Sequence, residues 1–82
     1  MSQNKLPKLS GHELLKFFCN RLGCTPTRQA GSHVNVKGII NGKAVVFTIP
    51  LHNELDPGTL LAVLRSAGLS REEFLQIAGK KK

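Results

Sequence analysis

Residues 32–49 read Ser32-His33-Val34-Asn35-Val36-Lys37-Gly38-Ile39-Ile40-Asn41-Gly42-Lys43-Ala44-Val45-Val46-Phe47-Thr48-Ile49, and this stretch decides the fold. Asn41-Gly42 is the strongest short-range hairpin signal, because a type I′ turn needs positive φ at both central residues. A two-residue loop then sets the register: Ile40 faces Lys43, Val36 faces Phe47, and Val34 faces Ile49. The last two pairs are apolar and fall on one face, so turn chemistry and core patterning agree. The opposite face takes His33, Asn35 and Lys37 from one strand and Thr48 from the other. His33 is therefore expected to point away from the apolar face.

Working outward, Ala30-Gly31-Ser32 is a turn signal, and Thr25 to Gln29 before it is a short strand, polar on both faces. Ser10-Gly11-His12-Glu13 has the S-x-x-E form of a capping box. Leu14, Leu15, Phe18 and Leu22 follow at helical spacing, and Gly23 supplies a left-handed stop, so a helix is predicted from Gly11 to Leu22. On the other side, Asp56-Pro57 opens a helix, with aspartate as cap and proline at the first helical position. Leu60, Leu61, Leu64 and Ala67 form its buried stripe, and Gly68 ends it. Ser70-Arg71-Glu72-Glu73 is a second capping box, opening a short helix that buries Phe74, Leu75 and Ala78. The order is helix, three antiparallel strands, helix and short helix. Helices packed on one face of such a sheet make an α+β two-layer sandwich. One domain over residues 9–79 is expected, with flexible tails at 1–8 and 80–82.

The chain has 82 residues, room for one small core, and carries a formal charge of +7. Only Glu13 interrupts the basic series Lys5, Lys8, Lys16, Arg21, Arg28, Lys37 and Lys43, while the C-terminal half is nearly balanced. Phosphate backbones and acidic protein surfaces are the partners such a field attracts; a charge that serves solubility alone is the alternative. Apolar runs such as Leu60–Leu64 are far too short to cross a bilayer, and no signal peptide is legible, so a cytoplasmic protein is expected. Cys19 and Cys24 do not make a disulfide framework, and zinc would need two more ligands near them; free thiols, buried or half-buried, are the expectation. Neither a phosphate loop nor a dinucleotide fingerprint occurs, and no cofactor or metal is expected.

The chemistry that remains lies in Arg28-Gln29-Ala30-Gly31-Ser32-His33. Amides around Gly31 and Ser32 could form a small anion-binding concavity. Arg28 could grip a phosphate with a bidentate fork, and Lys37 could add a point charge. A histidine among such cations suits proton transfer at neutral pH. RNA brings its own nucleophile, the 2′-hydroxyl, so a general base beside the phosphate can cleave it without a metal, leaving a 2′,3′-cyclic phosphate. A solvated surface histidine with no such role is the competing reading. His52 is either a second acid/base group or a loop residue. Phe17 is the one aromatic outside the predicted core stripes and the one candidate for stacking on bases.

Several pieces taken together resemble the HicA (YcfA-like) toxin family. They are Arg28-x-x-Gly31-Ser32-His33, Ile49-Pro50-x-His52, Glu54-Leu55-x-Pro57-Gly58-Thr59-Leu60, Ala67-Gly68-Leu69-Ser70-Arg71-Glu72-Glu73-Phe74 and the opening Leu9-Ser10-Gly11-x-Glu13-Leu14. The resemblance covers about Leu9 to Leu75. It implies a double-stranded-RNA-binding-domain-like fold, α-β-β-β-α, here with a short extra C-terminal helix. It also implies a metal-independent mRNA interferase of a toxin–antitoxin pair, acting on mRNA and held by a HicB-type antitoxin. The family's catalytic histidine falls on His33, with Arg28, Gly31, Ser32, Lys37 and Lys43 as the RNA-binding candidates and a monomer expected for the free toxin. Val34 departs from the second histidine that many members carry, and Asn41-Gly42 makes a tighter hairpin. A non-catalytic RNA-binding module of the same fold is the alternative function.

Overall fold

The computed structural model describes residues 6–79; the expected tail segments 1–5 and 80–82 lie outside the described residues. Leu6, within the expected N-terminal tail, is half-buried and packs against the core. The elements are α1 (Gly11–Leu22), β1 (Thr25–Ala30), β2 (His33–Ile40), β3 (Lys43–Pro50), α2 (Pro57–Ala67) and α3 (Arg71–Gly79). The three strands form one antiparallel sheet in the order β1-β2-β3. α1 packs across all three strands, α2 lies on β3, and α3 leans on α2, which makes the α+β two-layer arrangement.

Local chemistry sets the element boundaries. The Ser10 hydroxyl accepts from the Glu13 amide at 3.0 Å while the Glu13 carboxylate accepts from the Ser10 amide at 2.9 Å. Ser70 and Glu73 repeat the pattern at 3.0 and 2.9 Å, and the Asp56 carboxylate caps α2 through the Thr59 amide at 2.7 Å. Each cap is worth about 1 kcal/mol, the scale on which a short helix is won or lost. Asn41 and Gly42 both have positive φ, 53° and 78°, as a type I′ turn requires. The register follows: Ile40 lies opposite Lys43, Val36 opposite Phe47 and Val34 opposite Ile49.

Val34, Val36, Phe47 and Ile49 from the sheet meet Leu14, Phe18, Leu60, Leu64 and Phe74 from the helices in one buried core. Each such side chain contributes about 1.5–3 kcal/mol by leaving water. On α2, Val63 is buried where Leu61 was expected, and Leu61 is half-buried at the helix flank. Phe17 also departs from expectation: it meets the Phe74 ring edge-on at 4.8 Å and the Phe18 ring at 5.3 Å. The short C-terminal helix covers the side of α1 that spacing alone left open, so Phe17 serves packing rather than stacking.

Two polar ties hold that C-terminal helix in place. The Arg21 guanidinium donates to the Ile77 carbonyl at 2.8 Å. The Asn41 side-chain amide donates to a Glu73 carboxylate oxygen at 3.2 Å and to the Gly68 carbonyl at 3.4 Å, linking the hairpin turn to both helix caps.

Candidate functional site

The face of the sheet away from the helices is open. Along β2 it presents His33, Asn35, Lys37 and Ile39, and along β3 it presents Ala44, Val46 and Thr48. At its centre the Thr48 hydroxyl donates to the Asn35 side-chain oxygen at 2.8 Å. At one end Ile39 and Val46 are 69% and 74% exposed, an apolar patch on the face that carries His33 at its other end.

Arg28 reaches this face through the Gly31-Ser32 turn, from which Ala30 pairs with His33, Gln29 with Val34 and Arg28 with Asn35. Thr25 pairs with Lys37 and Pro26 with Val36, but Arg28 pairs with Asn35, so Thr27 is an inserted bulge residue. The bulge lies on the far side of Arg28 from the turn, so it shifts the register of Thr25 and Pro26 and leaves Arg28 beside Asn35 on the face shared with His33. The bulge was not read from the sequence, although Pro26 in a short strand was its available signal, since sheet prolines are confined to edges and bulges.

The turn between β1 and β2 sets the position of His33. Gly31 has φ 61°, and Ser32 does not share the positive sign, the pattern of a type II′ hairpin turn. The Gln29 side chain donates to the Gly31 carbonyl at 3.2 Å, and the Ser32 carbonyl accepts from the Leu51 amide at 2.6 Å. His33 thus begins β2 opposite Pro50 and stays exposed.

The loop after β3 is pinned from its other side by α1. The Gly11 amide donates to the His52 carbonyl at 2.9 Å, and the Leu55 amide donates to the Leu9 carbonyl at 2.8 Å. The approach is close: a Cβ added at Gly11 would lie 2.0 Å from the Pro50 carbonyl oxygen and 2.6 Å from Leu51 Cα. Held this way, the His52 ring lies 6.4 Å from the His33 ring, centroid to centroid, at an interplanar angle of 73°. His52 is a loop residue, and the loop brings it beside His33.

The remaining candidates are spread along the sheet. Lys37 is four residues along β2 from His33, about 13 Å, on the same face. Lys43 pairs with Ile40 at the far end of the hairpin, about 23 Å along the strand from His33, so it is not brought to the same spot. Gly31 and Ser32 form the turn directly before His33.

Asp56 and Cys24 are among the groups shifted from their ordinary values. The Asp56 carboxyl is held below its ordinary value by the Thr59 amide and, to a lesser degree, by the nearby charge of His52. The Cys24 thiol is pushed up by burial and then by Cys19 nearby, and both cysteines are free. Among the described residues no group of three or more His, Cys, Asp or Glu side chains is placed to hold a metal ion. None of the described helices is long and apolar enough to cross a membrane.

Residues 11–69 match the family model described as HicA toxin of bacterial toxin–antitoxin systems. The chain belongs to the HicA toxin family. The match spans α1, the whole sheet, the loop carrying His52 and α2, so this HicA chain holds its candidate site inside the matched region. Comparison with curated proteins and with solved structures gave no match. The family places this HicA chain in a toxin role and implies an antitoxin partner.

Proposed function

We propose that the chain is an mRNA interferase, the ribonuclease toxin of a type II toxin–antitoxin pair, cleaving RNA without a metal. The observation that carries this reading is the exposed His33 at the end of an open sheet face, with Arg28 paired to Asn35 on the same face. His33 takes the proton of a 2′-hydroxyl, and the oxygen so activated attacks the adjacent phosphorus. Arg28 meets the phosphate as a planar fork, and the Gly31-Ser32 turn offers backbone amides to it. Lys37 and, further out, Lys43 contact neighbouring phosphates without reading bases.

A protein of this charge and activity needs a cover. An acidic, HicB-type antitoxin fits the Arg28–Lys37 face, since opposite charge speeds encounter and fixes orientation. The free toxin acts as a monomer in the cytoplasm, where its mRNA substrates are found.

Induction of the protein alone in a bacterial host tests the reading. Growth arrest with mRNA fragmentation is expected from the parent, and neither from His33→Ala. If His33→Ala binds RNA and arrests growth as the parent does, with no cleavage by either, the chain is a non-catalytic RNA-binding module.

A further inference from the structure

The site as described accounts for one proton and leaves the other unassigned. When the 2′-oxygen bonds to phosphorus, the bond from phosphorus to the 5′-oxygen breaks, and that oxygen leaves as a poor alkoxide unless it is protonated. One histidine cannot take a proton from the 2′-hydroxyl and hand one to the 5′-oxygen in the same event. The structure places a second imidazole within reach of a single phosphate.

That placement is built by long-range contacts. His33 is fixed by the Gly31-Ser32 turn, and the next segment of β3 is tied to the same turn by the bond from the Leu51 amide to the Ser32 carbonyl at 2.6 Å. His52 follows Leu51 and is anchored by its carbonyl to the Gly11 amide at 2.9 Å. Both ends of the gap are therefore set by backbone bonds. The two centroids are 6.4 Å apart. At that separation the two imidazoles flank one phosphate ester, each turned to a different oxygen through a hydrogen bond of about 2.6–3.2 Å. Neither imidazole makes a side-chain hydrogen bond among the described residues, so each is available to substrate.

The Asp56 carboxylate, which caps α2 through the Thr59 amide at 2.7 Å, stands on the His52 side of the pair. The proposed reaction already gives the 2′-hydroxyl proton to His33, so the proton on the leaving group falls to His52.

We infer that His52 is the general acid of the reaction, protonating the 5′-oxygen leaving group while His33 accepts the 2′-hydroxyl proton; this rests on the ribonuclease reading above. The step balances: the 2′-oxygen to phosphorus bond forms, the phosphorus to 5′-oxygen bond breaks, and the products are a 2′,3′-cyclic phosphate and a 5′-hydroxyl. His33 ends protonated and His52 neutral, and exchange with water resets the pair.

A leaving group that needs no proton isolates this role. In an RNA dinucleotide with sulfur in place of the bridging 5′-oxygen, the departing thiolate is far more stable than an alkoxide. His52→Ala is expected to slow cleavage of the all-oxygen dinucleotide by about 10²–10⁴-fold and to cleave the sulfur substrate at close to the parent rate. His33→Ala is expected to be slow on both. Rescue on sulfur also shows that the His52 variant is folded and binds RNA. Equal loss on both substrates, or no loss on either, overturns the assignment of His52 while leaving the ribonuclease reading intact. A folded parent protein that cleaves neither dinucleotide overturns the ribonuclease reading, and the acid role with it.

Discussion

The Gly11 amide donates to the His52 carbonyl at 2.9 Å, so the first turn of α1 carries the loop that faces His33. Only a residue without a side chain allows this approach, because a Cβ at Gly11 would sit 2.0 Å from the Pro50 carbonyl oxygen. Backbone lies on both sides of that contact, and it cannot rotate away as a flexible side chain could. Gly11→Ala is therefore expected to cost about 1–3 kcal/mol, the usual scale of overpacking. Urea unfolding measures the loss. RNA cleavage by the folded fraction should fall as well, since the shifted loop moves His52. An Ala variant of parental stability and activity would show that α1 does not position the loop.

For His33→Ala, a purified and folded variant should lose RNA cleavage by about 10²–10⁴-fold while keeping its affinity for RNA. His33 is exposed and takes no part in the core, so its removal leaves the fold alone. The parent should remain active in EDTA. Cleavage assays on one RNA, with and without chelator and added magnesium, decide both points; a magnesium requirement would count against the mechanism.

The Thr27 bulge can be tested by its removal. Arg28→Ala should weaken binding alike across RNA sequences and flatten the salt dependence by about one counterion. Deleting Thr27 removes the bulge but leaves the turn-side pairs, from Ala30 with His33 to Arg28 with Asn35, so that variant should keep the parental slope. Titrations at several salt concentrations read the slope. An unchanged slope for Arg28→Ala would remove Arg28 from the interface, and a flattened slope on deleting Thr27 would show that the bulge rather than the turn places it.

The antitoxin is expected to inhibit by covering His33 rather than by distorting the fold. Diethyl pyrocarbonate, which acylates exposed imidazoles, should modify His33 quickly in the free toxin and slowly in a saturated complex, read by peptide mass mapping. Equal rates in free toxin and inactive complex would mean inhibition at a distance.

Acid should loosen the C-terminal helix first. The Glu73 carboxyl is held below its ordinary value, near 4.5, chiefly by the Ser70 amide, against a smaller upward push from desolvation, with the Asn41 amide helping to lower it. A carboxyl whose value is lower folded than unfolded adds stability above the unfolded value, and that contribution is lost as pH falls through the folded one. The Asp56 carboxyl is shifted in the same direction. Glu73→Gln should thus be less stable than the parent at pH 7 and closer to it near pH 3, as followed by urea midpoints. A constant gap between the two proteins at both pH values would rule out this linkage.

Much of the architecture is written in short-range chemistry. Ser10 with Glu13, Ser70 with Glu73, and Asp56 with Thr59 are contacts three residues apart, and Asn41-Gly42 closes its own turn. Such interactions depend on little beyond residue type and spacing, so the helix starts, the β2–β3 register and the face on which His33 lies follow from the sequence. Alternation along β2 and β3 then selects the apolar side for burial, because a half-buried sheet must put one face against the helices. What only the tertiary structure decided joins residues far apart in the chain. The Thr27 bulge depends on how an exposed edge strand fits β2, and its polar residues carry no alternation to betray the shift. Phe17 is covered by Phe74, and His52 is brought to His33 by Gly11 and Ser32. Those contacts exist only once the helical layer has closed on the sheet, when burial has paid the entropy of bringing distant segments together. The sequence by itself determined the scaffold and the histidine at its open edge, and the packing of that scaffold determined which groups stand beside the histidine.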